Sequence, residues 1–238
     1  MKFISGDDEH RRAAVLFDVD GTLVDSAYIH ALTWWEAFRQ YGHSPSTALI
    51  HRSVGMGGEE LLDHVLGKDR DADEGSAISG AHTALAARFW PSLTAFPRAG
   101  DLVRACALQG WSTVLATSAS AREARVLRKV LDVDDALAAV TDADDVQQAK
   151  PAPDLVSVAL AKVDADPGRS VMVGDTVWDA QAAERAGVRC IGVLCGGFSR
   201  GEMLDAGCLE VHEDPAALLD ALDRSVLGHP DRLLDGRT

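Results

Sequence analysis

A chain of 238 residues with 37 acidic against 23 basic side chains carries a formal net charge of −14, which argues against nucleic acid or an anionic membrane surface as its main partner. Its length suffices for one large domain or two small ones with a full core. Cys106, Cys190, Cys195 and Cys208 show no CxxC spacing, and no apolar run reaches the length of a signal peptide or a span of about 20 residues, so a reducing cytoplasm and a monomer or weak dimer are expected.

The first predicted element is a strand at residues 15–17, three apolar residues that run straight into Asp18, Asp20 and Gly21 in "VLFDVDGTLVDS". Further strands are predicted at 113–116, 138–140, 171–173 and 190–194. Helices are predicted between and after them at 99–109, 121–131, 154–163, 178–186 and 215–222. Most of the strands are rich in valine, leucine or isoleucine without alternation, as strands covered on both faces are. Such alternation of strands and helices gives an α/β fold on a doubly wound parallel sheet. Residues 225–238 are expected to trail from the last helix.

One connection breaks the pattern. Residues 27–96 place 70 residues between the first strand and the helix before the second, where a βα connection takes roughly 2 to 6. "AYIHALTWWEAFRQYG", "GGEELLDHVLG" and "GSAISGAHTALAARFW" are helical by period, while "DRDADEG" reads as a solvated turn. The expected organisation is a small helical second domain at 27–96 on two linkers, inserted into a core made of 1–26 and 97–238.

Open parallel sheets bind ligands beyond the carboxyl ends of their strands, near the reversal of strand order. Asp18, Asp20 and Gly21 follow the first predicted strand, Thr117 and Ser118 the second, and Gly174, Asp175 and Asp179 the one at 171–173, while Lys150 stands in the loop "AKPAPD". Unit charges 4 Å apart repel by roughly 1 to 4 kcal/mol per pair, so such a cluster calls for a cation beyond one lysine. An EF-hand loop begun at Asp18 would carry Leu23 at position 6 and Ile29 at position 12, which excludes it. The histidines show no HxxxH spacing and do not pair with the cysteines, so no zinc site competes. Oxygen-only ligands select magnesium, which prefers one or two carboxylates plus a substrate phosphate. Phosphate chemistry is the natural inference.

The stretches "DVDGTLVDS", "LATS", "AKPAPD" and "VGDTVWD", in that order, resemble the four motifs of the haloacid dehalogenase (HAD) superfamily, in its magnesium-dependent phosphatase and phosphomutase branch. The resemblance spans about residues 13–224. It implies a Rossmann-like core with residues 27–96 as the cap domain. It further implies that Asp18 attacks phosphorus and becomes an aspartyl phosphate, and that Asp20 protonates the leaving oxygen and then activates water. Neighbouring carboxylates are expected to push the Asp20 pKa upward. Thr117, with Ser118 beside it, would hydrogen-bond a phosphoryl oxygen, and Lys150 would neutralise charge on the transferring group. Mg2+ would be held by Asp175, the Asp18 side chain and the Asp20 backbone carbonyl, with Asp179 supporting Lys150 or the metal's water shell.

By position, "HRSVGMGGEE" is the cap loop that closes over the site, with Gly55 permitting close approach and Arg52 either the available cation for an anionic substrate or a helix-surface charge. His30 matches a histidine common in sugar-phosphate members, with a packed histidine beside Trp34 as the other reading. Dehalogenases of the superfamily lack the second acidic residue, which is present here as Asp20. Phosphonate-cleaving members use a cap lysine, and the cap lysine here, Lys68, lies in a charged turn. The expected function is hydrolysis of a small anionic phosphorylated metabolite, a sugar phosphate or phosphoglycolate. An intramolecular phosphotransferase is the alternative, although the arginine with which mutase members grip a second phosphate falls on Gly58. A silent binding protein on the same fold is a third reading, against which the Asp18 and Asp20 pair argues.

Overall fold

The computed structural model describes residues 12–228. Six strands, β1 (Ala14–Phe17), β2 (Ser112–Ala116), β3 (Ala139–Thr141), β4 (Val171–Gly174), β5 (Arg189–Val193) and β6 (Cys208–His212), form one sheet in the order β3-β2-β1-β4-β5-β6, each neighbouring pair parallel. The helices are α1 (Ala27–Gln40), α2 (Thr47–Ser53), α3 (Gly58–Leu66), α4 (Ala72–Ala87), α5 (Ala99–Leu108), α6 (Ala121–Leu131), α7 (Asp154–Lys162), α8 (Val177–Arg185), α9 (Arg200–Asp205) and α10 (Pro215–Asp220). Side chains of β1 alternate between two cores. Val15 and Phe17 join Leu102 of α5, Leu127 of α6 and Leu218 of α10, while Ala14 and Leu16 join Leu155 of α7 and Ala183 of α8. Burial on both faces explains the unbroken apolar run that marked the strand in the sequence.

The five predicted strands are all present, and β6 and α9 are additions to them. β6 lies at the sheet edge, where Leu209 is 46% exposed, only Cys208 and Val211 are buried, and Glu210 interrupts the apolar run. α9 has only six residues. Its start was marked by Ser199 and Glu202, which form a reciprocal capping box. Residues 225–228 do not trail as expected. Val226–Gly228 form a 3-10 turn, Leu227 is buried, and its carbonyl accepts a hydrogen bond from Trp111 Nε1 at 2.9 Å. Residues 229–238 lie outside the described residues.

The inserted helices α1 to α4 pack round an apolar cluster of their own, built on Trp34, Phe38, Ile50, Leu61, Leu62 and Ile78. Two local expectations are corrected here. The stretch read as a solvated turn starts α4, because the Asp71 carboxylate accepts from the Glu74 N–H at 2.9 Å and caps the helix. The stretch read as a cap loop is mostly helical, since its first three residues end α2 and its last three begin α3, which leaves residues 54–57 as the connection. The two strands of chain that enter and leave the insert are tied to each other: the Asp25 N–H donates to Thr94 O (3.0 Å) and the Phe96 N–H to Leu23 O (2.9 Å).

β1 has β2 on one side and β4 on the other, so strand order reverses there and a crevice opens beyond their carboxyl ends. Among the described residues no helix is long and apolar enough to cross a membrane. Cys106, Cys190 and Cys208 are buried free thiols, and Cys195 is half-buried.

Candidate active site

The β1–β4 ladder continues one step past β1, with the Asp18 N–H donating to Val173 O at 2.9 Å. Asp18 thereby stands beside the end of β4, where Asp175 follows Gly174. Asp179 sits in the first turn of α8. Its Oδ2 accepts from the Thr176 N–H (3.1 Å) and hydroxyl (2.6 Å), and Thr176 Oγ1 accepts from the Asp179 N–H (3.3 Å) in return. That box orients the other oxygen, Oδ1, which lies 2.7 Å from Lys150 Nζ. Lys150, brought in by the loop before α7, also donates to Asp18 Oδ1 at 2.5 Å. Asp179 therefore both caps a helix and holds the lysine. All four side chains are buried, and one oxygen each of Asp18, Asp175 and Asp179 lies within 4.8 Å of the others.

Three carboxylates and one ammonium out of water leave negative charge in excess. Burial pushes the Asp18 carboxyl up to about 7; Lys150 pulls it down, and Asp179 and Asp20 add to the rise. Asp175 is raised well above the carboxylate range, first by burial and then by Asp18 and Asp179. Burial works against the Lys150 ammonium, but Asp179 and Asp18 more than reverse it and hold its pKa above the usual lysine value. A divalent cation fits this set, since every donor is oxygen and the charge deficit is one that a second cation corrects.

The walls leave room for little else. The Thr22 hydroxyl donates to Asp175 Oδ1 at 2.6 Å. A Cβ on Gly21, whose φ is +79°, would stand 2.5 Å from Asp175 Oδ2, and one on Gly196 would stand 1.6 Å from it. Gly196→Ala is expected to displace Asp175 and, if the acidic set holds a divalent cation, to weaken its binding by roughly 10- to 100-fold, the usual size of a disturbed outer shell. Titration of thermal stability against Mg2+ measures this, and an unchanged midpoint would count against Asp175 as a ligand.

Asp20 lies on the turn beyond β1, and its surroundings correct one expectation. Burial pushes its carboxyl up, but a hydrogen bond and the charge of His30, with bonds from Ser26 and Thr117, bring it below the usual range. Ser26 Oγ donates to Oδ1 (2.7 Å), His30 Nε2 stands 3.3 Å from Oδ1, and Thr117 Oγ1 donates to Oδ2 (3.2 Å). The crowd of carboxylates acts on Asp18 and Asp175 instead. Despite burial, the Asp20 bond and the Asp20 and Glu123 charges raise the His30 imidazole to about 9. His82 is held well below 6.5 by burial and by His30, which lies 3.3 Å away.

Asp18, Asp20, His30, Gly55 and Ser118 all line a cavity of about 230 Å³ between core and inserted helices. The Ser118 hydroxyl is buried and makes no hydrogen bond to the described residues, so a donor faces the crevice. Thr117 reaches the site through Asp20. Arg52 is not brought to the cavity: it pairs with Glu202, its guanidinium lies 4.2 Å over the Phe198 ring, and its carbonyl accepts from Trp178 Nε1 (2.9 Å). His82 and Glu123, which the sequence reading did not single out, do line it. His82 comes from α4, 52 positions after His30, with no spacing to betray it. Glu123 carried a signal of another kind, since Ser120 and Glu123 spell a capping box. Ser120 does cap α6, but the Glu123 carboxylate turns to Trp90 Nε1 (3.0 Å) and the cavity.

Known proteins resemble this chain in sequence and in fold. The family described as haloacid dehalogenase-like hydrolase matches residues 13–187. The phosphoglycolate phosphatase of Rhodospirillum rubrum is 31% identical over 221 residues, covering 88% of this chain and 90% of its own length. That of Pseudomonas putida is 28% identical over 223 residues, covering 91% and 79%. A crystal structure of a hydrolase from Pseudomonas syringae matches with a TM-score of 0.85 at 32% identity, covering 90% of this chain and 99% of that one. CbbY from Rhodobacter sphaeroides, in complex with phosphate, matches at 0.72 and 26%, covering 89% and 99%.

Proposed function

The chain belongs to the haloacid dehalogenase-like hydrolase family and is a phosphatase of it, and from that premise we propose that it hydrolyses a small phosphate monoester, of the sugar phosphate or phosphoglycolate type, through an aspartyl phosphate on Asp18 with magnesium bound. The observation that carries this reading is Lys150, buried and clamped between Asp18 and Asp179 (2.5 and 2.7 Å) with Asp175 across the switch point. A lysine so placed keeps its charge and meets the anion that must approach Asp18. Residues 27–96 would act as the cap over this site, with the paired linkers as its hinge.

Asp18 Oδ2, the oxygen not bonded to Lys150, attacks phosphorus, and the ester oxygen leaves. Lys150 and the Ser118 hydroxyl offer donors for the equatorial oxygens, while the Thr117 hydroxyl, bonded to Asp20 at 3.2 Å, holds that carboxylate in place. Asp20, itself ionised, relays to the leaving oxygen the proton that His30 holds, and then takes one from water, returning it to His30, as the acyl phosphate is hydrolysed. His30, 3.3 Å from Asp20, orients that carboxyl and shares its proton. Mg2+ would be held by Asp18, Asp175 and the Asp20 carbonyl and would supply charge neutralisation for the transferring group.

Phosphate release from a panel of esters tests the reading. A chelator is expected to abolish release, Mg2+ to restore it, and the melting temperature of the stripped protein to rise with Mg2+ in the manner of a ligand that binds the folded state. Full activity in chelator, with no shift in melting, would refute the metal assignment.

A further inference from the structure

The cavity beyond Asp18 and Asp20 is where the leaving group must sit, and its walls have a definite chemistry. Trp34 stacks on His82, with ring centroids 4.0 Å apart and planes 9° apart, and Met56 and Leu61 extend that apolar side. Ser79, Thr83 and Ser120 place hydroxyls on it, and Glu123 adds a carboxylate. No arginine or lysine lines it among the described residues. Lys150 is committed to Asp18 and Asp179 beneath the floor, and Arg52 is turned to Glu202 and Phe198. The His30 imidazole, which faces the cavity, is already engaged by carboxylates of this chain, 3.3 Å from Asp20 and 3.9 Å from Glu123.

We infer that this pocket takes a neutral, hydroxyl-bearing leaving group, a polyol or sugar carried as a single phosphate ester, and that it discriminates against esters bearing a second anion, whether a carboxylate or another phosphate. The inference rests on the phosphatase reading and narrows it. Hydroxyls of such a group find acceptors in Glu123 and in the side-chain oxygens of Ser79, Thr83 and Ser120, while a carbon face lies against the Trp34 ring. A second anion would meet Glu123 with no arginine or lysine in the lining to offset it and with His30 already taken up by Asp20, and an unpaired like charge in a partly enclosed site costs more than a lost hydrogen bond.

The test compares kcat/KM for glycerol 3-phosphate and glucose 6-phosphate with that for phosphoglycolate and a hexose bisphosphate, with p-nitrophenyl phosphate as a reporter of the chemistry. The expected preference for the singly charged-group esters is about tenfold or more. In Glu123→Gln, which keeps the size of the side chain and an acceptor for Trp90, the ratio of phosphoglycolate to glycerol 3-phosphate is expected to rise by a similar factor, a change that a purely structural role of Glu123 would not produce. Preference of the native protein for phosphoglycolate or the bisphosphate, or a ratio unmoved by Glu123→Gln, overturns the inference while leaving the phosphatase reading intact. No release from any ester, p-nitrophenyl phosphate included, overturns that reading and the inference with it.

Discussion

Asp18→Asn is expected to lower phosphate release by at least about 10⁴-fold while the protein stays folded, the size of loss seen when a nucleophile is removed from a set of groups that act together. The amide is nearly the same size as the carboxylate, so packing at the end of β1 is preserved. The electrostatic change is favourable to the fold, because burial already pushes the Asp18 carboxyl up to about 7 and the variant no longer buries that charge. Lys150 keeps Asp179 as a partner at 2.7 Å. Loss of turnover with an unchanged or raised melting temperature therefore separates chemistry from stability. An acid quench during turnover adds an independent readout, since the native protein is expected to retain phosphorus covalently and the variant none. Release within tenfold of the native rate would remove Asp18 from the nucleophile's role.

Lys150→Met is expected to damage both activity and stability. Methionine fills much of the volume of the buried lysine stem, so the variant mainly deletes the charge. Asp18, Asp175 and Asp179 are then left together, buried, with no cation among the described residues that replaces the one removed. Breaking a buried pair from one side costs roughly 3 to 5 kcal/mol because of the charge left behind, and loss of a donor aimed at developing charge costs about 10² to 10³ in rate. Urea unfolding in chelator reads the first effect and single-turnover kinetics the second. Mg2+ is expected to recover more stability in the variant than in the native protein, because it meets a larger uncompensated charge. A variant as stable as the native protein in chelator would mean that the three carboxylates are not ionised together, and the charge deficit invoked for the metal would disappear with it.

How much of this was legible beforehand differs from element to element. The strand at β1 announced itself because Ala14 and Leu16 pack on one core and Val15 and Phe17 on the other, which forces an apolar run with no gaps. The charges after it were legible as a site because a turn that ends a buried strand has no structural use for Asp18 and Asp20 together. β6 was not legible, because an edge strand with Leu209 in solvent need not write an apolar run into the sequence. The packed turn at residues 226–228 depends on Trp111, more than a hundred positions away, and no local pattern records such a partner.

The sequence by itself determined the parallel sheet, the insert and the residues at the strand ends, since each of these depends on local periodicity or on where a strand stops. Tertiary structure alone decided what the inserted helices present to the site. A helix of 3.6 residues per turn sends side chains all round its axis, and the packing of Trp34, Phe38, Ile50 and Leu62 into one cluster sets which of them face the core. That packing turned Arg52 toward Glu202 and brought His30 to Asp20 and His82 to His30. The carboxylates proposed for the chemistry were therefore visible in the order of residues, while the walls of the cavity above them came from how the four inserted helices pack on one another and on the core.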